Sequence, residues 1–462
     1  MGLTVEHLVG LIATLLTITV VGVHAARKVK TADDFTVGGH HGGPAMIVGT
    51  LAGTLIGGAV TMGTAQMAFS LGVASLWLTL AGGLTVMIMA IFYARPLRQS
   101  GFQTIPEYLV GSYGPAAGLL TSITASIGTF FAVVSNLLSA ISLVATLLVL
   151  DPLPSAALVV ALVLAYVFFG GVWGTGRVGI VKTLLTFATL GTVGWISWRE
   201  MGGLAAYIQA FPAFPWFSLF GRGIWVDIGG ALSVFVGIIC TQTYVQAIYG
   251  ARDVKAARQG AAVAGVIMLL AGIPAAMAGM FMRAAHPEIA AIEALPLFIL
   301  YYLPPWFGGV AMATLLLASV GASSGLALGV STMLSRDVLL VAFRGLGERT
   351  ALWINRAIVL LIILFAVSIT FGNLKTMVLE WNFLSLGLRG AGVFLPLTAA
   401  IFWPGHFDRR LAVWSMAAGA CVAFGWKIVF PEGIDPLYPG LLANAVVFAA
   451  ACLLGRKKAV AV

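Results

Sequence analysis

Long apolar runs separated by short polar ones cover almost the whole chain. Thirteen of them, at about 5–24, 44–70, 75–94, 115–149, 154–172, 178–198, 225–248, 258–282, 306–334, 352–371, 377–403, 411–430 and 437–455, approach or exceed the length a membrane-crossing helix needs. None alternates in polarity over about ten residues, as a membrane β-strand would. The pattern predicts an all-α polytopic membrane protein with about 13 transmembrane helices. The run at 115–149 exceeds a bilayer width and predicts a tilted or projecting helix.

Two runs are interrupted at their centres. Residues 49–64 of the second hold a Gly57-Gly58 pair with Thr54, Thr61 and Thr64 nearby. Glycine costs about 1 kcal/mol relative to alanine inside a helix. A break at mid-membrane is tolerated only where protein or a cavity satisfies the backbone. The seventh run holds Gly237 and then Cys240-Thr-Gln-Thr-Tyr-Val-Gln246. Its place, five runs after the second, suits two inverted five-helix repeats with discontinuous helices. The repeats would cover about 44–198 and 225–403, with an extra first helix at 5–24 and extra C-terminal helices at 411–455. Broken helices of this kind hold substrate and ion near the midplane of secondary transporters. Thr241 and Gln242 would then face Thr61, Thr64 and Gln66 across a cavity, or they simply bond neighbouring helices.

Two further runs carry candidate chemistry. In the ninth, Ala318-Ser-Val-Gly-Ala-Ser-Ser-Gly325 either packs closely through its small residues or offers oxygens to a small hard cation. In the eleventh, Arg389 lies 14 residues before Trp403, about 21 Å at helical rise. Intramembrane arginines face a cavity or a partner, and a guanidinium fork suits a carboxylate. The alternatives are an ion pair with Glu380 or Asp227, or snorkelling to the headgroups.

Composition agrees: 60% of residues are hydrophobic and 9% charged, against about 25% charged in soluble domains. The net charge of +9 does not point to nucleic acid, because 19 of the 25 Lys and Arg, Lys182 among them, fall at alternate junctions between runs. The positive-inside rule puts the amino terminus outside and the carboxyl terminus in the cytoplasm, in the cell (inner, cytoplasmic) membrane. The first run ends in Arg27, Lys28 and Lys30 with no small-residue cleavage site and reads as a retained helix. Cys240, Cys421 and Cys452 lie inside runs without metal-ligand spacing. No phosphate loop, paired His with Glu, or nucleophile elbow appears, so no enzyme is expected. His40 and His41 read as interfacial, and proton sensing is the other reading. Phe211–Phe217, Tyr301–Trp306 and a short amphipathic helix over 287–303 read as interfacial anchors or an external lid.

The chain resembles the sodium:solute symporter family, which has the leucine-transporter fold. The resemblance rests on Asp33-Asp-Phe-Thr-Val-Gly-Gly39, Gly63-Thr-Ala-Gln-Met-Ala-Phe-Ser-Leu-Gly72, Gly101-Phe-Gln-Thr-Ile-Pro-Glu-Tyr-Leu109, Gly174-Thr-Gly-Arg-Val-Gly-Ile-Val-Lys-Thr183, Gln242-Thr-Tyr-Val-Gln246 and Ser331-Thr-Met-Leu-Ser-Arg-Asp337. It implies a sodium ion between the second and ninth runs, with carbonyls from Gly53, Ile56 and Ala318. The family's two side-chain hydroxyls fall on Gly321 and Ala322, which have none, and a common acidic residue falls on Leu184. Either Ser319, Ser323 or Ser324 substitutes after a helix shift, or protons or uncoupled transport replace sodium.

The expected function is cation-coupled uptake of a small solute by alternating access, with sodium as the coupling ion, and with an organic acid or amino acid preferred over a sugar. A proton-coupled or uncoupled carrier is the near alternative. A sensor would need a signalling domain beyond the short Gly455–Val462 tail, and a channel a continuous polar pore. The partners expected are the solute, a monovalent cation and the lipid bilayer, with no other cofactor, no nucleic acid and no obligate protein partner.

Overall fold

A computed structural model of the chain describes residues 3–26, 41–339, 348–431 and 433–459. The Asp33–Gly39 motif, His40 and the cations at 27–30 lie outside the described residues. Among those described, the architecture is helical throughout, with one isolated backbone bridge between Gly42 and Ala251.

Fourteen helices organise the fold. They are α1 (Val5–Ala26), α2 (Pro44–Leu55), α3 (Thr64–Leu71), α4 (Trp77–Ile88), α5 (Pro115–Leu148), α6 (Pro152–Met201), α7 (Ile224–Ile239), α8 (Gln242–Tyr249), α9 (Val254–Ala285), α10 (Pro305–Met333), α11 (Glu348–Phe371), α12 (Val378–Phe402), α13 (Arg409–Val429) and α14 (Leu437–Ala459). Among the described residues ten helical stretches are long and apolar enough to span a membrane, and shorter apolar helices supply the rest. The backbone is helical across all of α6, which holds both predicted runs 154–172 and 178–198. The predicted junction between them falls on residues 166–177, whose side chains are outside the described residues.

Polarity is distributed as a bilayer requires. Large apolar side chains such as Leu184, Trp195, Leu361 and Leu442 are exposed on the outer faces, where lipid tails are as apolar as they are. α10 is buried along nearly its whole length and forms the centre of the bundle, whereas α1 lies at its edge. The helix Ala294–Tyr302, within the predicted 287–303 segment, buries Leu295, Phe298 and Ile299, so it is packed into the fold rather than laid on its surface.

The ends of the helices gather into two sets. At one end Gly42 pairs with Gly250 and Arg252 through the backbone, and Arg98 donates to the Ala251 carbonyl. At the other, Gln66 meets Thr376 and Val378, and Trp77 donates to the Leu219 carbonyl at 2.6 Å. Both predicted breaks lie between these ends, one between α2 and α3 and the other between α7 and α8.

Candidate functional site

The first break occupies Ile56–Gly58, followed by a wide helical turn over Ala59–Gly63. Packing explains the glycines. A Cβ on Gly57 would collide with Asn136 Oδ1 and lie 2.5 Å from the Ala322 Cβ. One on Gly58 would collide with Ser139 and lie 2.5 Å from Ser319 Oγ. The freed Gly58 N–H donates to Asn136 Oδ1 at 2.9 Å, and Asn136 Nδ2 donates to the Ala132 carbonyl at 2.9 Å. One buried amide on α5 therefore satisfies the broken backbone, as an apolar medium demands. Thr61 Oγ1 returns to the Gly57 carbonyl at 3.1 Å, while Thr64 Oγ1 is buried with no hydrogen-bond partner.

The second break is built against α12. A Cβ on Gly237 would lie 2.5 Å from the Leu386 carbonyl oxygen, so α7 and α12 touch backbone to backbone just before the chain unwinds at Cys240-Thr241. That contact places Arg389, which is 1% exposed, at the break. Its Nε donates to the Ser385 carbonyl at 3.1 Å and its Nη2 to Ser385 Oγ at 2.8 Å. Nη1 donates to Thr241 Oγ1 at 2.8 Å and Thr129 Oγ1 at 3.4 Å. A guanidinium has five N–H donors, so one on Nη2 is left over. Neither suggested acidic partner reaches it: Asp227 pairs with Arg222 at 2.7 Å, and among the described residues no carboxylate forms an ion pair with Arg389.

Arg389 borders a central cavity of about 20 Å³ shared by Thr54, Asn136, Tyr244, Asn382 and apolar side chains from α2, α4, α7, α9, α10 and α12. That is room for about one water, whereas a solute pocket needs several hundred Å³.

The expected cation ligands lie behind this cavity, where α2 crosses α6 and α10. Lys182, 1% exposed on α6, points into the crossing. Its Nζ donates to the Gly53 carbonyl and, at 3.4 Å, to that of Ala318. The approach depends on glycine, since a Cβ on Gly53 would lie 2.8 Å from the Gly179 Cα and one on Gly179 would strike the Gly49 carbonyl. The nearby hydroxyls turn onto their own helix. Ser319 donates to Leu315, Ser323 to Ser319 at 3.0 Å, and Ser324 to Val320. Gly321 and Ala322 offer no side-chain oxygen, and Leu184 faces outward, 67% exposed.

The structure thus brings Thr241 and Arg389 together at one break and sets Gly53 and Ala318 about one ammonium. It directs the two glutamines elsewhere. Gln66 Nε2 donates to the Thr376 carbonyl and its Oε1 accepts from Val378 N–H, tying α3 to α12. Gln242 Nε2 donates to the Gln103 carbonyl and its Oε1 accepts from Ile105 N–H, closing the opposite end. The sequence reading did not single out Asn136, Ser385 or Thr129, and it counted Lys182 with the loop cations. Its one clue was that Lys182 stands a full turn inside the apolar run that begins at 178.

Comparison with known proteins fits this geometry. The model of the sodium:solute symporter family matches residues 35–419. A high-affinity choline transporter of Drosophila melanogaster is 21% identical over 95% of this chain and 74% of its own length. The human high affinity choline transporter is 28% identical over 39% of this chain and 33% of its own. Among solved structures, a Na+-coupled sialic acid symporter in a substrate-bound outward-open state superposes with a TM-score of 0.81 at 15% identity, over 98% of each chain. Mhp1, a nucleobase-cation-symport-1 family transporter in a closed conformation, gives 0.58 at 14% identity, over 92% of this chain and 95% of its own.

Proposed function

The chain belongs to the sodium:solute symporter family, and from that premise we propose that it moves a small carboxylate-bearing solute through the centre of the bundle by alternating access. Membership makes it a multi-pass membrane transport protein rather than an enzyme, and it supports cation-coupled solute uptake. The substrate class rests on one observation: Arg389 is buried beside the cavity, has no acidic partner among the described residues and keeps one N–H free. A desolvated positive charge of this kind is stabilised by an anion. Thr241 holds the guanidinium in place, and Thr61 and Thr64 lie on the facing break.

The cavity is too small to hold the solute as it stands, so binding requires α2–α3 and α7–α8 to part from their neighbours. Gln66 and Gln242, bonded at opposite ends, would on this reading act in closure rather than in solute contact. The cation-rich end carrying Arg98 and Arg252 is assigned to the cytoplasm.

The curated relatives favour a second reading, since they are named as choline transporters. A permanent cation within about 6 Å of Arg389 would be opposed by about 3 kcal/mol at an effective dielectric near 20, which is why the carboxylate reading is preferred. Uptake into proteoliposomes decides between them. Small carboxylates should be taken up and compete with one another, their neutral amides should enter only with a much higher KM, and choline should not be taken up. Saturable uptake of choline alone would overturn the assignment.

A further inference from the structure

We infer that Lys182 is a tethered cation: its ammonium stands between the Gly53 and Ala318 carbonyls, where a coupling sodium ion would be held, and the chain binds no sodium there. Sodium needs a shell of oxygens, and with the Lys182 side chain in place the crossing does not supply one. The Gly53 and Ala318 carbonyls already accept from Nζ. Gly321 and Ala322 lack hydroxyls, and the Ser323 hydroxyl is bonded back to the Ser319 carbonyl.

The surroundings are consistent with a permanent occupant. Lys182 is fully enclosed, so its head does not snorkel to water. Neither Pro44–Leu55 nor Pro305–Met333, the two helices that supply the carbonyls, contains an ionisable side chain. Among the described residues the Nζ of Lys182 therefore bonds to carbonyl oxygens alone, as a bare ion would. A sodium ion entering the same crossing would meet the Lys182 amine and carbonyls already engaged.

A dissociable ion can travel with the solute and transmit its gradient; an amine on α6 cannot leave. The crossing then keeps the Lys182 amine between α2 and α10 in every cycle, and sodium has no part in closing it. This consequence rests on the carrier reading above, but the test does not, because it needs no solute.

The full-length protein is purified and its thermal unfolding followed while NaCl replaces KCl at constant ionic strength. The wild type should show no sodium-specific shift. Lys182→Ala, which vacates the crossing, should unfold at lower temperature in KCl and regain part of the loss as sodium rises, by mass action on the folded state. A saturable sodium-specific stabilisation of the wild type would overturn the inference whether or not a solute is ever found. So would Lys182→Ala and Lys182→Ser variants that fold yet remain indifferent to sodium. Once a solute is known, exchange across vesicles with KCl on both sides should match that in NaCl, and a loss beyond about tenfold without sodium would refute the inference as well.

Discussion

Replacing Arg389 by Gln separates the two substrate readings by the sign of the effect. The guanidinium makes four bonds within the protein, to Ser385 twice and to Thr241 and Thr129 once each, and has one N–H left for a solute. A hydrogen bond to a charged group is worth about 1.5–3 kcal/mol. Loss of that single bond should raise KM for a carboxylate by about 10–150-fold. The same change removes a like charge from a bound choline. Relief of the roughly 3 kcal/mol of repulsion estimated at about 6 Å would tighten choline by about 100-fold. The glutamine amide can replace only part of the internal network, so the variant should also be less stable by about 1–3 kcal/mol, measured without solute. The assay is initial-rate uptake of a carboxylate and of its neutral amide by wild type, Arg389→Gln and Arg389→Lys. Carboxylate KM should rise in the glutamine variant, recover in part in the lysine variant, and leave the amide unaffected. Equal losses for acid and amide, or an unchanged carboxylate KM in a folded variant, would refute the reasoning.

Three other outcomes follow from the same geometry. Asn136→Leu keeps much of the volume but leaves the Gly58 N–H without its acceptor; it should cost about 1–3 kcal/mol in thermal unfolding, and wild-type stability would refute the capping role. Gln242→Ala cuts the ties to Gln103 and Ile105. It should change turnover with KM held within about twofold, and a tenfold or larger rise in KM would instead make Gln242 a solute contact. Burial raises the Asp435 carboxyl above its usual range, against bonds from Leu437 N–H and Ser233. Its protonated form is thus favoured by folding, and its contribution is complete below about pH 4 and lost as pH rises through the raised pKa. Asp435→Asn should remove that slope from a plot of melting temperature against pH, and an unchanged slope would locate it elsewhere.

The breaks were legible in the sequence because their cause is: glycine sits where the backbone must nearly touch Asn136, Ser139 or Leu386. What satisfies the break was not legible. Asn136 is one amide in a helix of 34 residues, and only the crossing of α5 over Gly58 gives it a role. Neighbouring polar residues in a broken span were also ambiguous. Thr241 is extended at the break and meets Arg389, while Gln242 opens the next helix and turns to Gln103. Depth alone marked Arg389 as intramembrane. The same test applied to Lys182 would have taken it out of the loop, but a lysine one turn inside a run usually snorkels to the interface. The contact of Gly179 with Gly49 and Gly53 brings α6 so close that the side chain points inward instead.

Lys182 and Arg389 also bear on each other. Among the described residues the buried charged side chains are Lys182, Asp227 and Arg389, and Asp227 is committed to Arg222. Among the described residues the centre of the bundle thus holds two basic side chains, Lys182 and Arg389, neither of them paired with a carboxylate. Charges in so poorly screened a setting interact strongly. An anionic solute entering beside Arg389 reduces that excess, whereas a sodium ion at the Gly53 crossing would raise it. The proposed substrate class and the proposed lack of a sodium site at this crossing would thus share one origin in this distribution of basic side chains. Sodium binding at the Gly53 crossing of the wild type would count against the proposed role of Lys182, while the substrate class would still stand or fall with Arg389.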